Sequence, residues 1–133
     1  MPFNVELVSP EGSIYSGEGD LVVARTVDGD IAFQPGHIPF IGVLLTNRVK
    51  VHQTDGTQQL IAVHRGFVEV SADQVTVLSD VAELAADIDV ARAQAALEAA
   101  EAALGADPDD TEAAAALLRA ETRLAVAGAP TER

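Results

Sequence analysis

Two hydrophobic patterns meet near residue 81 of the chain. Before it, β-branched residues, glycines and turn residues dominate, and apolar positions recur at every second residue: Val49 and Val51, Val68 and Val70, Val75 and Val77. A period of two puts each pair on one face of an extended strand. The first half therefore predicts short strands over residues 4–8, 21–27, 30–33, 42–46, 49–53, 58–63, 67–71 and 74–79. Asp55-Gly56 between two such runs marks a hairpin turn, because glycine accepts positive φ at little cost. Ala72-Asp73 marks a second tight connection. Short strands at close spacing, with no helical stretch between them, predict a sandwich or barrel rather than a βαβ sheet.

After residue 81 alanine is dense and β-branched residues are rare. The larger apolar residues Val90, Leu97 and Leu104 are spaced by seven, which lines one helical stripe. Asp87 or Asp89 is placed to cap this first helix, and Gly105 to stop it. The polar segment 106–110 reads as a turn. Asp109 with Glu112 has capping-box spacing and predicts the start of a second helix. Leu117 and Leu124 continue the stripe there, with Leu118 and Val126 beside it, and Gly128 ends it. A short turn between two helices gives an antiparallel hairpin. The class is α+β, mainly β: an N-terminal β-sandwich over residues 1–84 and a two-helix hairpin over residues 85–133.

Alanine favours helix but buries little area. A few leucines along two short helices, at about 25 cal/mol per Å², fall short of an ordering cost of about 1.5 kcal/mol per residue. The hairpin is thus expected to need a surface to lie on, and a weakly docked element is a candidate switch.

Composition removes several function classes. There is no cysteine, which excludes disulfides and thiolate chemistry. Eight Lys and Arg stand against 21 Asp and Glu, a net charge of −13. That argues against nucleic acid and against adsorption to anionic lipid. The N-terminus lacks the pattern of a signal peptide, and no apolar run approaches the roughly 20 residues of a membrane span. No P-loop, dinucleotide fingerprint or nucleophile elbow is present. His37, His52 and His64 lack metal-ligand spacing, although His52 and His64 fall in neighbouring predicted strands. Asp107, Asp109 and Asp110 do not match a calcium loop. Arg92, Arg119 and Arg123 stand out in an otherwise acidic hairpin. Arg119 and Arg123 share a helix face, and an antiparallel hairpin places Arg92 towards them. They either converge as an anion site or pair with Glu98, Glu101 or Glu121 on the surface.

The segment Gly29-Asp30-Ile31-Ala32-Phe33-Gln34-Pro35-Gly36-His37-Ile38-Pro39 resembles the G-x-L-G-I-x-P-G-H-x-P signature of ATP synthase epsilon subunits of the bacterial F-type. Val5 to Gly12 with Tyr15-Ser16-Gly17 resembles the first strands of that family, and Gly66 to Val70 with Val75 to Leu78 resembles its last ones. The likeness covers nearly the whole chain. Ala32 departs from it at the second glycine, and Arg65 departs from the small residue usual before Gly66. The resemblance implies a non-catalytic subunit of the central stalk, peripheral on the cytoplasmic side of the plasma membrane. Its implied partners are the gamma subunit, the c-subunit ring and, through an extended hairpin, the alpha/beta catalytic head. It implies coupling of proton-driven rotation to ATP synthesis and inhibition of ATP hydrolysis by the hairpin. Asp28, Asp30 and His37 fall where the family meets its partners. No cofactor is required, but Ile88-Asp89-Val90-Ala91-Arg92-Ala93 is similar to the I-D-x-x-R-A motif of members that bind regulatory MgATP. By that likeness Glu83, Asp89, Arg92, Arg119 and Arg123 are candidate nucleotide contacts. Ala99 stands where strong binders carry a basic residue. The same motif reads equally as a helix start, with Asp89 as its cap.

Overall fold

The computed structural model describes residues 2–128. Nine strands come first: β1 (Phe3–Ser9), β2 (Gly12–Thr26), β3 (Gly29–Phe33), β4 (Phe40–Leu44), β5 (Asn47–Gln53), β6 (Gln58–Val63), β7 (Gly66–Val70), β8 (Gln74–Leu78) and β9 (Ala82–Leu84). A single 3-10 turn (Ala85–Asp87) leads to α1 (Val90–Ala106) and α2 (Thr111–Gly128). The strands run in the order β1-β8-β7-β4-β2-β5-β6-β9, with β3 also on β2 and β1 also on β2. β1 pairs in parallel with β8; the other pairings are antiparallel. The sheet folds into a sandwich whose inward positions alternate along most strands, as the period-two pattern requires, while β6 buries Ile61, Ala62 and Val63 in succession. Phe3, Val5 and Leu7 from β1 meet Phe33, Leu44, Val51, Ile61 and Val68 in one buried core.

β2 begins at Gly12, well before the predicted residue 21. Its first part, rich in Ser, Gly and Glu, carries no apolar alternation. Pairing of residues 12–19 with β1 holds it extended instead. Gly19 is buried where a Cβ would sit 3.2 Å from the His52 carbonyl and 3.3 Å from Val5, and the register with β5 shifts beside it. β4 ends at Leu44 rather than residue 46. β9 was not predicted: three residues are too few to show a period. The turn at Asp55-Gly56 forms as expected, with Gly56 at φ 89° and the Thr57 N–H donating to Asp55 Oδ1 at 2.9 Å.

Asp89 caps α1, accepting from the Arg92 N–H at 3.1 Å. Gly105 does not stop that helix, which closes where the Asp107 N–H reaches the Ala103 carbonyl at 2.9 Å. The second cap is Asp110, not Asp109: Asp110 Oδ1 accepts from the Ala113 N–H at 3.0 Å. Asp109 spends its own N–H on Asp107 Oδ1, so the expected capping box does not form. Nor does the predicted leucine stripe make the buried seam. Ala93 and Ala100 of α1 and Ala113 and Ala120 of α2 are buried, whereas Val90 is 52% exposed and Leu97, Leu104, Leu117 and Leu124 are only partly covered. Alanines let the two backbones approach closely, and the larger side chains are displaced to the flanks. The hairpin lies on the sandwich. Val126 of α2 is fully buried with Ala62 of β6 and Ile88, and Leu60, Ala85 and Ala127 pack around them.

Candidate functional site

Two places stand apart from the fold's own needs. The first is an outward sheet face. Val8, Leu78, Phe67 and Val43 are register partners across β1, β8, β7 and β4, so all four point to one side. Phe67 is 54% exposed, and Val43 and Leu78 are each 41% exposed. Val27 and Leu45 extend this apolar area, Val27 donating its N–H to the Val43 carbonyl at 3.1 Å. A groove of about 610 Å³ opens beside it, lined by Val8, Pro10, Val43, Phe67, Leu78 and Arg65. Its floor depends on Gly66, at φ 154°, where a Cβ would lie 2.1 Å from the Leu78 carbonyl. Arg65, the departure noted before that glycine, takes left-handed φ 69°, a conformation uncommon for a side chain of its size. A contiguous apolar face on a chain of net charge −13 is the signature of a partner surface.

The three candidate partner contacts do not form one cluster. Asp28 is exposed at the β2–β3 turn, where its N–H donates to Thr26 Oγ1 at 3.0 Å. Asp30 is bonded to Arg25 through both guanidinium arms, at 2.5 and 3.1 Å. That hydrogen bonding holds its carboxyl below the ordinary range. Both lie at the Leu44 end of β4, beside the apolar face. His37 sits at the other end, about 13 Å away along a five-residue strand. Its ring packs edge-on against Phe33 at 5.3 Å and Phe40 at 6.4 Å.

The second place is the junction of hairpin and sandwich. Glu83 of β9 accepts with one oxygen, Oε1, from Arg123 Nε of α2 at 2.7 Å and from His64 Nε2 at 3.0 Å. His64 follows β6; its side chain is 4% exposed. Burial pushes its pKa below the ordinary value, and the charges of Arg123 and Arg119 push the same way, against the opposing Glu83. For Glu83 burial is the largest influence and favours the neutral acid. The hydrogen bonds from Arg123 and His64 together outweigh it, so its carboxyl titrates below the usual range.

Of the five nucleotide candidates the structure joins Glu83 to Arg123 and uses Asp89 as a cap. Arg119 pairs with Glu112 at 2.9 Å. Arg119 and Arg123 therefore pair, but not with Glu98, Glu101 or Glu121. The Arg92 side chain is exposed and makes no ion pair among the described residues. With two of three arginines neutralised and Ala99 uncharged, these residues do not make a preformed phosphate site. His52 and His64 are not neighbours either: β5 and β6 pair His52 with Gln58 and Asn47 with Val63, so the two imidazoles lie at opposite ends. Among the described residues no cluster is arranged to hold a metal ion, and no helix is long and apolar enough to cross a membrane.

A sandwich of this strand order, carrying a short helical hairpin on its β5–β6 side, defines a two-part class of protein, a β-sandwich with an appended helical hairpin. The family model described as ATP synthase, Delta/Epsilon chain, beta-sandwich domain matches residues 2–85. The model for the long alpha-helix domain of the same chain matches residues 86–128. The chain belongs to the ATP synthase delta/epsilon chain family. It is 47% identical over 98 residues to the ATP synthase epsilon chain of Streptomyces griseus, covering 74% of this chain and 79% of that one. It is 46% identical over 100 residues to the epsilon chain of Thermobifida fusca, covering 73% of each. In fold it is similar to a chain in the cryo-EM structure of Euglena gracilis mitochondrial ATP synthase, OSCP/F1/c-ring in rotational state 1. The TM-score there is 0.78 at 21% identity, over 91% of this chain and 78% of that one.

Sequence reasoning missed the apolar face and the place of His64 at the hairpin junction. The face was legible in part: β7 carries Phe67 on the side opposite Val68 and Val70, so a strand with one clean polar face was never on offer.

Proposed function

We infer that the chain is the non-catalytic epsilon-type subunit of an F-type ATP synthase central stalk. Its sandwich docks on the gamma subunit through the face formed by Val8, Leu78, Phe67 and Val43. The Asp28 turn, at the same end of the sandwich, is turned towards the c-subunit ring. In that position it helps couple proton-driven rotation to ATP synthesis at the cytoplasmic side of the plasma membrane. The hairpin restrains ATP hydrolysis when it leaves the sandwich and extends towards the alpha/beta head. The observation that carries this reading is the continuous row of apolar side chains across four strands, exposed at Val43, Phe67 and Leu78, on a chain otherwise strongly acidic.

Co-expression with gamma tests it. Phe67→Asp keeps the fold, because the side chain points outward. It is expected to weaken gamma binding by about 100-fold, as loss of a central aromatic anchor does. Wild-type retention of gamma by this variant would sink the docking face. Removing residues after 86 is expected to raise ATP hydrolysis of the assembled complex; unchanged hydrolysis would remove the brake.

MgATP binding by the hairpin is a second reading, favoured by Arg92, which is exposed beside the Asp89 cap and makes no ion pair among the described residues. Nucleotide would have to draw Arg123 from Glu83. Calorimetry with millimolar MgATP on the chain, and on Arg92→Ala, decides this: no heat, or equal heat from both, removes it.

A further inference from the structure

We propose that His64 is a proton-sensitive latch: neutral His64 and Arg123 together hold Glu83 and keep the hairpin on the sandwich, and protonation of His64 loosens it. The proposal rests on the hairpin being able to leave the sandwich, not on which partner receives it. Loss of gamma binding by the Phe67→Asp chain therefore tests the function above and leaves this latch untouched.

The geometry is a three-group junction with one acceptor oxygen at its centre. Glu83 Oε1 takes hydrogen bonds from both sides, His64 Nε2 from the sandwich and Arg123 Nε from the hairpin. With a carboxylate at Nε2, the imidazole places its single proton there, which leaves Nδ1 bare. Nδ1 is buried and has no hydrogen-bond partner among the described residues. A bare nitrogen lone pair tolerates this better than a buried N–H cation with nowhere to donate. The charged groups facing the ring are Glu83 from β9 and Arg119 and Arg123 from α2. Two arginine charges already face the ring beside one carboxylate, so a third positive charge there is unwelcome. A protonated ring would also compete with Arg123 for the same oxygen.

Undocking moves Arg119 and Arg123 away from the ring, whatever happens to its burial. Both arginines hold the pKa down, so the undocked value must be the higher of the two. As pH falls the undocked form takes up its proton first. Docking is therefore fully supported above the ordinary histidine pKa of 6.5 and weakens as pH drops below it towards the docked value. Within that window the docked-to-undocked ratio changes by up to about tenfold per pH unit. The Glu83–Arg123 bond persists there, because the Glu83 carboxyl titrates below its ordinary 4.5.

Two measurements test the latch. The first is histidine NMR on the full chain. His64 is expected as the Nε2–H tautomer, with a pKa below 6.5 that rises in Arg119→Gln and in Arg123→Gln. A wild-type pKa at or above 6.5, or one that neither variant moves, overturns the proposal. The second uses the absence of native cysteine. Fluorophores on Ser13→Cys and Ala102→Cys, both exposed, report the hairpin–sandwich distance. The same pair is placed in a Val126→Ala background, where docking is weaker and its changes are easier to see. Energy transfer is expected to hold near about pH 7.5 and to change progressively towards about pH 5.5. His64→Phe, of similar bulk, and His64→Gln are expected to abolish the pH dependence and remain docked. A flat wild-type profile in both backgrounds, or a pH dependence that survives in the His64 variants, overturns it.

Discussion

The sandwich and the hairpin are similar in how regular their elements are and different in what those elements bury. The sandwich closes over Phe3, Phe33, Leu7, Leu44 and Ile61, all fully covered. Each such side chain contributes about 1.5–3 kcal/mol by leaving water. The helices bury mainly alanines between themselves, and Val126 is the one large α2 side chain fully covered against the sheet. Helical order in the hairpin comes from propensity and caps, while its position comes from a small apolar contact and the Glu83 junction. A region can thus be well formed and still be loosely placed.

Three substitutions probe that contrast, in descending order of effect. Phe33→Ala opens a hole under the ring stack with His37 and Phe40. It is expected to cost the sandwich about 3–5 kcal/mol, read as a lower midpoint in chemical denaturation. Equal loss from any hairpin alanine would erase the distinction. Val126→Ala is expected to weaken docking by about 1–2 kcal/mol. Amide exchange should quicken in α2 and at Ala62 while the β7–β8 core stays protected. Asp110→Ala is expected to cost the hairpin about 1 kcal/mol of helix stability, measured by circular dichroism on heating, with Asp109→Ala near zero. The reverse order would return the cap to Asp109.

Most of the sandwich was legible because inward and outward positions alternate in β5, β7 and β8, and the turns at Asp55-Gly56 and Ala72-Asp73 carry their own chemistry. What stayed hidden was held by partners distant in sequence. The first half of β2 has no pattern of its own and is extended because β1 lies beside it. Asp109 and Asp110 offer the same carboxylate one residue apart, so only backbone geometry chooses between them. In the hairpin the seven-residue spacing was real, but it picked out the leucines, and the alanines Ala93 and Ala100 share that spacing. Of the site residues, Asp89 as a cap was legible from its place before a helix. The Glu83–Arg123 bond spans 40 residues, and the enclosure of His64 depends on α2 lying over β6; neither has a local signal.

β2 has a further consequence. Residues 12–19 are bonded to β1, and residues 19–26 to β3 and β5, so one unbroken chain is stitched into both walls of the sandwich. Sliding one wall past the other would load that strand along its length and shear many hydrogen bonds at once, rather than unzip them singly. The molecule is therefore mechanically stiff across its two walls, and a single-molecule pull through β2 would meet its highest force there.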